Sequence, residues 1–347
     1  MSDKITSATH SREEVGRIGR LSRNQALRRS RRFVIIKQTV DRVGQLAAVV
    51  FFVTVGTAVL LRVVPGDPAR TILGSHATPQ SLGALRRQLG LNESVPSQVA
   101  QTIVRLVHAN LGTSIVYRGQ SVLSVVAPSF GVTASLVGVT MLMSVIVGIP
   151  IGLGLAVSRS SFPDLVGRLA LTVAIAVPSF LVGLLLLLGV SLKLGWAPPG
   201  GWAGSWPTNA RYVWLPAVAL TAYLGPVIAR AVRQMAQDTI SQPFIEAACA
   251  RGIPRRRVIW RYVFPNALLP VITLLGYSAS ILISGAVTVE AVFALPGVGQ
   301  ILTTSVQARD YPVVQGIALI TAIGVVAINL LTDVIYTLLD PRIGAAA

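Results

Sequence analysis

The densest chemistry in the sequence lies at 241–260. It reads Ser241-Gln-Pro-Phe244-Ile245-Glu246-Ala247-Ala248-Cys249-Ala-Arg251-Gly252-Ile-Pro254, followed by Arg255, Arg256, Arg257 and Trp260. Ser241 is a residue type that caps helix N-termini, and Gly252 can end a helix in the left-handed conformation that glycine takes at little cost. Pro254 suits the first position of a second helix. The segment therefore predicts helix, sharp turn, helix, lying outside the membrane. Ala247 and Ala248 leave room for another chain to approach, Phe244 and Ile245 supply an apolar anchor, and Glu246 and Arg251 put charge at the rim. This is chemistry for docking rather than for making bonds: a compact helical knob fits a groove on a partner protein. The same residues also fit a helix lying on the bilayer surface, held by Arg255, Arg256 and Arg257. The residue types alone leave both readings open.

Polar residues inside apolar runs form the second set of candidates, because an ionisable group within a span is costly and usually has a purpose. Asp333 stands one helical turn from Asn329 in the last apolar run, where a pairing with Arg230 or Arg233 and a helix-tethering hydrogen bond are both open. Glu290 ends the preceding run, placed either to contact a substrate or binding protein or simply to sit at the water interface. Thr133, Ser135, Thr140 and Ser144 could line a pore or serve ordinary helix packing. No catalytic or metal site is readable. His10, His76 and His108 are scattered without metal-ligand spacing, and the single Cys249 excludes a disulfide framework. No Gly-x-x-x-x-Gly-Lys-[Ser/Thr] phosphate loop occurs.

The elements that must position these residues are apolar helices. Hydrophobic residues make up 52% of the 347-residue chain and charged residues only 12%, about half the share of a soluble domain. The apolar residues gather in runs near the roughly 20 residues that cross a hydrocarbon core. Spans are predicted at 43–62, 132–157, 169–192, 213–229, 268–290 and 315–338, about six in all. Within them Gly148, Gly152 and Gly154 around Pro150 predict a small-residue packing face, and Pro178 a kink. The fold class is thus an all-α integral membrane protein. Its parts are a basic tail (1–42), a first transmembrane helix (43–62), an extracytoplasmic subdomain (63–130), a transmembrane core (131–338) holding a loop at 230–267, and a short C-terminus (339–347). The subdomain contains two predicted helices. One is capped by Thr78 before Pro79, carries Leu82, Leu85 and Leu89, and closes at Gly90. The other starts near Pro96 and carries Val99, Ile103, Leu106 and Val107.

The net charge of +17 comes largely from the tail and the loop at 230–267. Such crowding beside apolar spans is what the positive-inside bias produces. Both termini are therefore expected in the cytoplasm, which requires an even number of spans. Few aromatic residues interleave with the basic runs, which argues against nucleic acid as a partner. A stand-alone secondary transporter would show several intramembrane charges or an inverted repeat, and neither is visible.

Glu246-Ala247-Ala248, three residues, then Gly252 resembles the EAA signature of permease subunits of binding-protein-dependent ABC importers. Further segments resemble the dipeptide/oligopeptide/nickel branch of that family. They are Pro65-Gly66-Asp67-Pro68, Leu89-Gly90-Leu91, Leu111-Gly112-Thr113-Ser114, Gly148-Ile-Pro150-Ile-Gly152, the run from Val289 and Glu290 through Phe293 and Pro296 to Gly299, Arg309-Asp310-Tyr311-Pro312, Asn329 to Asp333, and Asp340-Pro341-Arg342. The likeness covers about 43–343. It departs at Tyr262-Val263-Phe264-Pro265, where the family pattern has an Ile-x-Leu-Pro segment. The resemblance implies a non-catalytic pore subunit of the cytoplasmic membrane that imports small peptides. Phe244, Ile245, Glu246, Ala247, Ala248, Arg251 and Gly252 would meet a cytoplasmic ATPase. The implied partners are a second, homologous permease, two ATPase domains that bind ATP and Mg, an extracytoplasmic substrate-binding protein, and membrane lipid; no cofactor is implied for this chain itself.

Overall fold

In a computed structural model, the described residues are 43–56, 59, 69–70, 78–88, 93–108, 110–117, 119–158 and 161–339. The tail, the motifs at 65–68, 89–91 and 340–342, and the residues Gly90, His10 and His76 lie outside them. Most of the described chain is helical. We number the helices α1 (Val43–Gly56), α2 (Pro79–Gln88), α3 (Val95–Val107), α4 (Val122–Val157), α5 (Ser161–Ala176) and α6 (Ser179–Leu186, continued by a π-helical stretch Leu187–Lys193). They continue as α7 (Ala210–Ile240), α8 (Pro243–Ala250), α9 (Arg255–Val292), α10 (Val298–Gln307) and α11 (Tyr311–Leu339).

Four helices among the described residues, α4, α7, α9 and α11, are long and apolar enough to cross a membrane, and the bent pair α5–α6 makes up to five. Of the first expected span, 43–62, the described part is the shorter apolar helix α1, and most of 57–62 lies outside the described residues. The observed helices outrun the apolar windows. At 1.5 Å per residue the 36 residues of α4 extend about 54 Å, against a hydrocarbon thickness of about 30 Å. Hydropathy marks the membrane crossing and not the helix, so it leaves the turns beyond the crossing unmarked. The same holds for the expected loop at 230–267, which is helical for most of its length: α7 runs on to Ile240, and α9 already begins at Arg255.

The predicted span at 169–192 is not a straight helix. Its two halves meet at 91°. Pro178 has no N–H, its ring disfavours helical backbone at the residue before it, and it is itself extended with ψ 133°, so the chain turns there and restarts at Ser179. Pro265 is absorbed differently, by a π-helical turn at Ile259–Val263 that precedes it within α9.

Helix α7 is the hub and packs on α4, α5, α6 and α9. Of its apolar stretch 61% is buried inside the chain, against 22% for α11, which leaves α11 to face lipid or another subunit. The α4–α7 crossing depends on glycine. A Cβ on Gly148 would stand 2.7 Å from the Gly225 carbonyl oxygen, and one on Gly152 2.5 Å from that of Ala229. These are backbone atoms of the facing helix and cannot step aside. Gly154 meets nothing within 4 Å, so the packing face is narrower than predicted. The main core joins Leu136, Leu153, Leu220, Leu224, Ile228, Val232 and Leu282, and a second cluster joins Val122 and Val126 of α4 to Val298, Val313 and Ile317. The predicted cap of α2 is present, with Thr78 Oγ1 accepting from the Ser81 amide at 3.2 Å. In α3, Ile103 is exposed.

Candidate functional site

Two groups of residues stand at opposite ends of α9. At its first residue is α8, the predicted knob. The helix is as short as expected, but its start differs. Gln242 takes the N-cap position without a side-chain bond, and Ser241 instead ends α7, donating from Oγ to the Asp238 carbonyl at 3.0 Å. Two residues after α8 ends, Gly252 has φ +76°. The Gly252 amide bonds the Cys249 carbonyl at 2.9 Å and the Ile253 amide reaches back to Ala248 at 3.3 Å. Together these form a Schellman motif, the sharp stop that glycine makes possible. Pro254 lies just before the next helix, which begins at Arg255.

Burial divides the predicted contact residues. Ile245 and Ala248 are 5% and 3% exposed and pack into the main core, so they fasten α8 to its own bundle and are not offered to a partner. Phe244, Glu246, Ala247 and Arg251 are exposed. Phe244, Ala247 and Arg251 follow i, i+3, i+7 spacing and share one face, and the Arg251 Nε donates to the Ala247 carbonyl at 3.2 Å. Behind α8 lies a hollow of about 430 Å³ lined by Val157, Ile240, Ile245, Ile253 and Val258, with Glu246, Cys249 and Arg255 among its walls. The arrangement is a rigid post with a small, mixed apolar and charged outer face.

At the other end of α9, Glu290 is completely buried rather than at a water interface. Its Oε1 accepts from Thr133 Oγ1 at 2.5 Å, and its Oε2 accepts from the Gly299 amide at 2.8 Å. Thr133 Oγ1 in turn accepts from the Val298 amide at 2.9 Å. The carboxylate thus closes the loop between α9 and α10 and pins it to α4. Glycine is required beside it: a Cβ on Gly297 would run into the Glu290 carboxyl group, and one on Gly299 into the Val287 backbone. The neighbouring turn contains Asp310, also fully buried. It accepts from Ser114 Oγ, from the amides of Ile115 and Val116 at 3.3 and 3.1 Å, and from Val313 at the head of α11. Sequence reasoning misses Asp310 as a polar site, because nothing local shows that a distant segment supplies its donors. Its place in an Asp-Tyr-Pro helix start is the available signal.

The remaining candidates serve packing or stand apart. Thr140 and Ser144 are buried against α7, where Ser144 Oγ and Thr221 Oγ1 lie 3.5 Å apart, and Ser135 is partly buried and bonds its own helix at Gly131. Arg233 does not wait for Asp333: it makes a two-pronged pair with Asp164 at 2.7 Å for both contacts, tying α7 to the start of α5. Arg230 reaches Thr172. Asn329 is partly buried in α11, and the Asp333 side chain lies outside the described residues.

These features can be set beside known proteins. Residues 34–151 match the N-terminal part of the binding-protein-dependent transport system membrane components, and residues 148–345 match the inner membrane component itself. The chain belongs to this family. The inner membrane component resembles the glutathione transport system permease protein GsiC of Escherichia coli O6:H1, with 35% identity over 89% of this chain and 99% of that one. GsiC of Salmonella choleraesuis is 34% identical over the same shares. A Brucella ovis protein named as a candidate peptide permease is 35% identical over 82% of this chain and 92% of its own. The component's fold is that of the inward-facing MetNI methionine ABC transporter chain, with TM-score 0.53 and 18% identity over 62% of this chain and 95% of that one. It is a multi-pass inner membrane protein of the transport-permease type, and both ends of α9 lie within the 148–345 match.

Proposed function

We propose that this chain is the permease subunit of an ATP-driven importer whose cargo is short peptides, with glutathione-like tripeptides in that class. The supporting observation is the exposed surface of α8, with Phe244, Ala247 and Arg251 on one face and Glu246 beside the hollow, on a post anchored by Ile245 and Ala248. A post anchored in the core transmits a push to α7 and α9, which a floppy loop cannot do. The push comes from two ATPase domains that hold ATP and Mg, so this subunit is not itself catalytic. The face toward the pore is completed by a second, homologous permease. A substrate-binding protein delivers cargo at the Glu290 end, and both termini lie in the cytoplasm. Relatives named for peptide and glutathione transport support the cargo class.

The test is uptake of labelled dipeptide, tripeptide and glutathione into proteoliposomes holding the complete complex and its binding protein. ATP-dependent uptake of at least one is expected, and it is abolished by Glu246→Lys while membrane insertion is unchanged. Uptake that persists without any ATPase, or normal uptake by the variant, would overturn the reading.

A further inference from the structure

The docking face of α8 leaves one cluster beside it unused. Arg256, Arg257 and Arg261, with Pro254 and Trp260, line an open hollow of about 660 Å³ at the first turns of α9. All three arginines are exposed, and none of their side chains makes a hydrogen bond or ion pair among the described residues. Among the described residues, no carboxylate lines the hollow. Trp260 is 57% exposed and its ring rests against Phe264, with centroids 5.1 Å apart.

Position decides what this cluster meets. Helix α9 has 38 residues, and about 20 suffice to cross the hydrocarbon. The surplus turns carry its first residues out of the hydrocarbon, with Trp260 and Arg261 about two turns before the predicted span at 268–290, and tryptophan is favoured near that boundary for its apolar body and polar edge. Three unpaired guanidinium groups around an indole at that depth match a phosphate with acyl chains below it. Guanidinium presents several donors in a rigid fork suited to phosphate oxygens. We propose that Arg256, Arg257, Arg261 and Trp260 form a binding site for the headgroup of an anionic phospholipid, next to α8. The site rests only on the chain being a membrane protein and not on its cargo or its energy source. A lipid held there braces the first turns of α9 against the hollow behind α8.

The test uses the purified complex and phosphatidylglycerol, with retained lipid counted by native mass spectrometry. The triple variant R256Q/R257Q/R261Q should retain phosphatidylglycerol more weakly by on the order of a hundredfold, since each surface cation is worth about fivefold. R230Q/R255Q, which also removes positive charge but lies outside the hollow, should retain it as the parent does. Equal loss in both variants would mean diffuse attraction and would overturn the site. Displacement of the lipid by inorganic phosphate alone would assign the cluster to a free anion and would also overturn it. Loss of co-purifying protein subunits with lipid retention unchanged would make the cluster a protein contact, and the lipid site would fall with it. Should the triple variant fail to insert, fluorescence quenching by spin-labelled lipid decides. Labelled phosphatidylglycerol should quench the parent more than labelled phosphatidylcholine does, with the excess absent from W260F; equal quenching by the two lipids overturns the proposal.

Discussion

Gly252 has φ +76° with nothing within 4 Å of where a Cβ would stand. A side chain there would meet no clash, only the backbone cost of the left-handed region, about 1–2 kcal/mol. Gly252→Ala should therefore leave the bundle folded while loosening the end of α8. ATP-coupled uptake should fall severalfold with unchanged membrane levels, and unchanged uptake would mean that the sharp stop is dispensable. Glu290 is the opposite case, a charge whose value lies in what it satisfies. Its removal orphans the Gly299 amide and a Thr133 hydroxyl, at about 1–3 kcal/mol for each buried group. Glu290→Ala should lower the apparent Tm of the detergent-purified protein by on the order of 10 °C. Glu290→Gln, which keeps one acceptor, should fall between that variant and the parent. A thermal scan that ranks the three otherwise would remove the carboxylate from its role as a latch. Glu290 is legible in the sequence as unusual because charge is rare in a span, but its partners sit 157 and 9 residues away in opposite directions along the chain, and no local pattern names them.

Among the elements, the α4–α7 crossing carries the bundle. Gly152→Ala forces a methyl group toward the Ala229 carbonyl, and overpacking of this kind costs about 1–3 kcal/mol or more. Monodisperse protein on fluorescence-detected size exclusion should drop sharply for Gly152→Ala and stay at the parental level for Gly154→Ala, whose site is open. Equal yields would mean that the two helices can move apart. Helix α10 is an element that hydropathy does not reveal. Its ten residues are too short to register as a span, yet Val298, Ile301, Leu302 and Ser305 follow helical spacing and three of them pack in the second core cluster. The bend at Pro178 is readable as a kink, but its size follows from α6 packing on α7 after the break.

For the whole molecule, sidedness decides whether the machine can work. The chain has one cysteine, and it is exposed on α8. A membrane-impermeant maleimide should label Cys249 in inside-out vesicles and not in right-side-out ones. Labelling from the outer side would place α8 beyond the reach of any cytoplasmic ATPase. Charge asymmetry supports the expected orientation, since Arg255, Arg256, Arg257 and Arg261 gather at the α8 end of α9. That asymmetry is a property of the sequence and needs no coordinates.

The sequence by itself determined that the chain is helical and membrane-spanning, and that a short helix comes to a sharp stop at Gly252. Each of these depends on composition or on spacing within a few turns, where the covalent chain already fixes which residues are neighbours. Only the tertiary structure decided that Ile245 and Ala248 face inward, that Glu290 and Asp310 are buried clasps, that Arg233 belongs to Asp164, and that the third span is broken at a right angle. Those outcomes depend on which distant backbone amide or helix face arrives at a given atom, and that is settled by packing the helices against one another.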